Sequence, residues 1–87
     1  MMQVVLYSRD DCGYCEKAKS LLESHKIDYI EKKLGRDFTR ETLLEQFPGV
    51  TTYPVVVVNG FRIGGYVNLV EYISRENDPR QFLAEGF

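Results

Sequence analysis

"YPVVVVNGFRI", residues 53–63, decides how this chain is arranged. Its four consecutive valines do not alternate with polar residues, so the segment predicts a strand covered on both faces. Asn59–Gly60 directly after it is a two-residue hairpin signal, because the tight turns that match strand twist need positive φ at both central positions. Residues 61–63, "FRI", should therefore return antiparallel, and Gly64–Gly65 ends that return strand. A strand buried on both sides needs helices above and below it, and the rest of the chain has to supply them.

The flanking sequence does so. Residues 3–8, "QVVLYS", are short, β-branched and aromatic, and read as a buried strand. From about Tyr14 to His25 the apolar positions Cys15, Ala18, Leu21 and Leu22 fall at helical spacing, with Glu and Lys on the other face. "IDYIEKKL", residues 27–34, alternates less cleanly and gives a second strand. "TRETLLEQF", residues 39–47, predicts a helix with Thr39 or Asp37 as N-cap, stopped by Pro48–Gly49. Downstream, Asn68 with Glu71 three residues later reads as an N-cap arrangement for a third helix running to about Ser74. Asp78–Pro79 would start a short terminal helix carrying Phe82 and Leu83. In the order β-α-β-α-β-β-α, a right-handed crossover makes the first two strands parallel, and the hairpin adds an antiparallel pair. The expected architecture is α/β, a mixed four-stranded sheet with helices on both faces, forming a single domain over residues 1–87.

Bulk properties narrow the function classes. A net charge of -2, with both signs interspersed, leaves no basic footprint for nucleic acid. The apolar runs fall far short of the roughly 20 residues that span a bilayer. The first residues, "MMQVVLYSRDD", lack the basic segment, apolar segment and cleavage site of a signal peptide. A reducing cytoplasm is the expected compartment, and there a lone, closely spaced cysteine pair is more often catalytic or metal-binding than structural.

That pair is Cys12 and Cys15, in "RDDCGYCEK", residues 9–17. It follows the first strand and opens the first helix. A helix N-terminus carries unpaired N–H groups and the positive end of the macrodipole, so Cys12 sits where a thiolate is favoured. Cys15 lies one turn later on the same face, within reach to form a disulfide. Asp10 and Asp11 oppose a thiolate, but they are expected to be exposed and screened, one of them is free to cap the helix, and Arg9 supplies the opposite charge. The balance should favour the anion. Lys17 and Lys19 read as the solvated face of the helix. His25, at its far end, is poorly placed to complete a four-ligand zinc site with the cysteines.

"CGYC", residues 12–15, together with "TTYPVVVVNG", residues 51–60, and "IGGYVNL", residues 63–69, resembles the glutaredoxins over nearly the whole chain. The resemblance implies the thioredoxin fold with sheet order 2-1-3-4. Cys12 would be the exposed nucleophile, Cys15 the resolving thiol, and Pro54 a cis proline beside them. The activity implied is glutathione-dependent thiol–disulfide exchange by a monomer, acting on glutathione mixed disulfides and on protein disulfides such as that of ribonucleotide reductase. Arg9 would address the glycyl carboxylate of glutathione and Tyr14 would border its sulfur. The backbone of Tyr53, within Thr52–Tyr53–Pro54, would pair with the cysteinyl residue, and Gly65, Val67 and Asn68 would receive the γ-glutamyl end. Three positions depart from the common pattern: Gly13 stands where many dithiol members have proline, Asn68 where Asp is frequent, and Val50 where several carry a basic residue. Gly13 motivates an alternative, a [2Fe–2S] cluster shared by two chains through Cys12 of each and two glutathiones. A further alternative keeps the dithiol but draws electrons from a flavoprotein reductase.

Overall fold

A computed structural model of the chain describes residues 3–76. The elements are β1 (Val4–Ser8), α1 (Gly13–Ser24), β2 (Tyr29–Lys33), α2 (Arg40–Gln46), β3 (Val55–Val58), β4 (Phe61–Gly64) and α3 (Tyr66–Glu76). They form the expected mixed sheet in the order β2-β1-β3-β4. β1 and β2 are parallel, while β1–β3 and β3–β4 are antiparallel. The terminal helix expected from Asp78–Pro79, with Phe82 and Leu83, lies outside the described residues.

The valine run behaves as a two-sided strand. Val55 to Val58 are all buried, at 5 % exposure or less. Val56 and Val58 pack with Val4, Leu6, Ala18, Leu22, Leu69 and Ile73, which places α1 and α3 on one face of the sheet. Val55 and Val57 pack with Tyr7 and Leu43, joined by Phe38 and Phe47, which places α2 on the other. Successive strand residues point to opposite faces, so one uninterrupted apolar run feeds both layers. At the hairpin, Asn59 takes φ 52° and Gly60 φ 87°, as a primed turn demands.

Two helix starts depart from the sequence expectation or sharpen it. For α2 the cap is Thr39, not Asp37. The Thr39 hydroxyl accepts from the Thr42 N–H at 3.2 Å, and the Thr42 hydroxyl accepts from the Thr39 N–H at 3.0 Å. The Asp37 carboxylate instead accepts from the Lys33 N–H at 2.8 Å.

For α3 the expected start at Asn68 is wrong. The helix opens at Tyr66, and the Gly65 carbonyl already accepts from the Leu69 N–H at 3.0 Å. The Asn68 side chain reaches backwards and accepts from the Gly65 N–H at 3.0 Å. An Asn at the third helical position that bonds back to the cap looks, in sequence, like an Asn at the cap itself. Gly64–Gly65 offers no side chain to mark the true start. Gly64 sits at φ 130°, and a Cβ there would collide with the Asn68 side chain.

Leu6 is fully buried on central strand β1, so truncation leaves a cavity the packed helices cannot close. Leu6→Ala is expected to cost about 2–5 kcal/mol, read as a fall in the denaturant midpoint with the slope unchanged.

Candidate active site

The sheet brings three chain segments to one end. Val55 lies opposite Tyr7, so β3 begins where β1 finishes. Gly64 lies opposite Val56, so β4 finishes there too. Arg9 and Tyr14, the segment 51–54 and the turn into α3 therefore border a common cleft of about 750 Å³. Arg9, Tyr14, Thr52, Tyr53, Pro54, Gly65, Val67 and Asn68, all singled out from the sequence, line it. The Tyr53–Pro54 peptide bond is cis.

Four further residues line the cleft: Leu34, Arg40, Thr51 and Tyr66. Arg40 is the first residue of α2 and Tyr66 the first of α3, and no local pattern marks either as facing this cleft, whose lining includes neither cysteine. Tyr66 stands 5.8 Å from the Tyr14 ring, centroid to centroid. Val50, by contrast, packs against the Tyr7 layer and leaves Thr51 to face the cleft.

Cys12 is the N-cap of α1, with extended backbone, and its sulfur accepts from the Cys15 N–H at 3.2 Å. That N–H is one of the donors a helix start leaves unpaired. Neither Asp10 nor Asp11 caps the helix. Cys12 is half-buried and Cys15 fully buried, and a disulfide joins them with the Cα atoms 5.2 Å apart. An incoming thiol or disulfide thus meets Cys12 first. The sequence model of the Glutaredoxin family matches residues 4–63, a stretch that holds the cysteine pair and the cis proline.

The chain belongs to the glutaredoxin family. It is 33% identical to Glutaredoxin 3 of Escherichia coli over 66 residues, 75% of this chain and 78% of that protein. The solution structure of reduced Escherichia coli glutaredoxin superposes with a TM-score of 0.71 at 29% identity, covering 86% of this chain and 95% of that one. A buckwheat glutaredoxin–glutathione complex superposes with a TM-score of 0.70 at 26% identity, covering 84% and 69%.

In this glutaredoxin the two aspartates beside Cys12 have different settings. Lys33, on β2, binds Asp10 at 2.7 Å and holds its carboxyl below the ordinary range, by hydrogen bond first and by charge second. Asp11 takes φ 54°, a left-handed turn conformation that Asp tolerates better than most residues. Arg9 lies over the Tyr53 ring at 5.9 Å, and Lys17 over the Tyr14 ring at 5.2 Å.

Lys19 is more than a solvated face. It binds Glu16 at 2.8 Å and Glu31 at 3.1 Å. Glu31 also accepts from the hydroxyl of Ser8 at 2.7 Å, and Ser8 is buried at the end of β1. This network ties α1, which carries both cysteines, to β1 and β2. The Ser8 hydrogen bond is the main cause holding the Glu31 carboxyl below its ordinary range, with Lys19 adding to it against partial burial.

A carboxyl lowered in the folded state contributes stability above its unfolded value, near pH 4.3, and loses it as pH falls through the folded value. Denaturant midpoints of wild type and Glu31→Gln should differ most near neutral pH and converge towards pH 3. Parallel acid limbs would show that Glu31 carries no such linkage.

Proposed function

We propose that this glutaredoxin is a glutathione-dependent thiol–disulfide oxidoreductase of the cytoplasm, acting as a monomer on glutathione mixed disulfides and protein disulfides. The disulfide of ribonucleotide reductase belongs to that substrate class. The observation that carries the proposal is the cleft that runs from Arg9 past Tyr53–Pro54 to Asn68; neither cysteine lines it, but Tyr14, between the two cysteines, does, and Cys12 is half-exposed. The related buckwheat glutaredoxin in complex with glutathione supports it. Arg9, joined by Arg40, suits the glycyl carboxylate, since guanidinium groups bind carboxylates well. The backbone of Tyr53 pairs with the cysteinyl residue as an added strand does. Gly65, Val67 and Asn68 take the γ-glutamyl end, where the N–H groups opening α3 favour its carboxylate.

In the reduced protein the Cys12 thiolate attacks the glutathionyl sulfur of the substrate. A Cys12–glutathione disulfide forms, the substrate sulfur leaves as a thiolate, and that thiolate takes a proton from water. A second glutathione thiolate then attacks the glutathionyl sulfur, releasing glutathione disulfide and restoring Cys12. For protein disulfides Cys12 attacks the substrate first, and Cys15 displaces it to form the internal disulfide. The Cys15 N–H that meets the Cys12 sulfur favours its anion. A lowered pKa raises the thiolate fraction but, with a Brønsted coefficient of about 0.4–0.5, costs nearly as much intrinsic nucleophilicity. The benefit falls on the release step, in which Cys12 is the leaving group.

The test couples the reduced protein, glutathione and a small mixed disulfide to glutathione reductase and follows NADPH. Wild type should turn over, Cys15→Ser should retain the mixed-disulfide activity, and Cys12→Ser should have none. Arg9→Ala and Arg40→Ala should each raise KM about three- to tenfold with kcat little changed, as expected for loss of one exposed charge-assisted contact. Absence of turnover by folded, reduced wild type would sink the proposal.

A further inference from the structure

The cleft is one-sided in charge. Arg9 and Arg40 bring it two cations, and among the described residues no aspartate or glutamate lines it. Among the described residues its only side-chain amide is that of Asn68. The Asn68 carbonyl oxygen is held by the Gly65 N–H at 3.0 Å, and this bond settles which way the amide faces, because its NH2 group cannot accept. What Asn68 has left to offer a ligand is chiefly that NH2 group, a donor suited to a carboxylate and ill-suited to an ammonium. Glu71, the next carboxylate along α3, is exposed and outside the cleft. Asp10 is occupied by Lys33.

A site built to bond a substrate group rejects the analogue that lacks it, because its own partner is left unpaired. Here, among the described residues, no carboxylate would be left unpaired by removing the amine of the γ-glutamyl residue, and that ammonium remains solvated by water. We infer that, of the charged groups on its thiol, this cleft recognises the carboxylates and is indifferent to the α-ammonium, so that glutathione and an analogue lacking that amine are equally its substrates, with Asn68 setting the tolerance. The inference rests on the glutathione orientation proposed above.

The test uses the reduced Cys15→Ser protein with two peptide mixed disulfides, one formed with glutathione and one with its deamino analogue, in which glutaryl replaces γ-glutamyl. In each transfer the Cys12 thiolate attacks the low-mass thiol's sulfur, a new disulfide to Cys12 forms, and the peptide thiolate leaves and is protonated by water. Two sulfurs exchange one disulfide bond, so no external oxidant or reductant is consumed. Mass spectrometry of the Cys12 adduct identifies which sulfur was attacked, and salt near 0.15 M screens the analogue's extra net charge.

The second-order rate constants should agree within about twofold. Asn68→Asp keeps one oxygen for the Gly65 N–H and offers the other to an ammonium. It should prefer glutathione by about three- to fivefold, the upper range for an exposed ion pair. If both substrates react but wild type favours glutathione fivefold or more, the inference falls while the glutathione proposal stands. An unchanged ratio in Asn68→Asp would remove Asn68 from its assigned role. If neither substrate transfers its low-mass thiol to Cys12, the glutathione proposal fails and takes the inference with it.

Discussion

The antiparallel pairing of β1 with β3 in the middle of the sheet governs the rest of the molecule. With Val4 opposite Val58 and Tyr7 opposite Val55, the chain leaves β1 at the place where it enters β3. The loop bearing Cys12 and the segment bearing Tyr53–Pro54 are therefore side by side, however far apart they are in sequence. β2 runs parallel to β1 and finishes level with it, Lys33 against Ser8, which sets Lys33 within reach of Asp10. β4 returns to the same end and delivers Gly65 and α3. One register thus assembles the cleft.

Charge around the sulfur is organised at two distances. Nearest is the backbone: Cys12 occupies the cap of α1, and the Cys15 N–H meets its sulfur directly. Farther out, β2 offsets the adverse charge of Asp10 through Lys33, while Arg9 is held across the Tyr53 ring. The hydrogen bond comes from a fixed backbone donor, whereas water and salt reduce the effect of the exposed carboxylates.

Much of this was legible in the chain itself, for reasons that differ by element. Val55–Val58 and Asn59–Gly60 announce themselves because a two-sided strand and a primed turn each demand residue types that little else tolerates. The cysteine pair was recognisable by spacing and by its position after a strand. The start of α3 was not, since Asn68 bonds backwards to a glycine that leaves no trace of its own capping role. Arg40 and Tyr66 were hidden for another reason. Each opens a helix, and only the folded sheet shows that both helix starts face the cleft. Lys19 read as surface because its partner Glu31 lies on a different strand, joined to it by tertiary contact alone.

The sheet also partitions the molecule. The layer on one face holds α1 and α3, and Cys15 of α1 is fully buried. The opposite layer centres on Tyr7 and Leu43, with Tyr53 and α2 attached, and α2 supplies Arg40 to the cleft. The two buried clusters have no residue in common. A substitution on the α2 side, at Arg40 for example, can therefore alter one wall of the cleft without touching the cluster that packs α1 against the sheet.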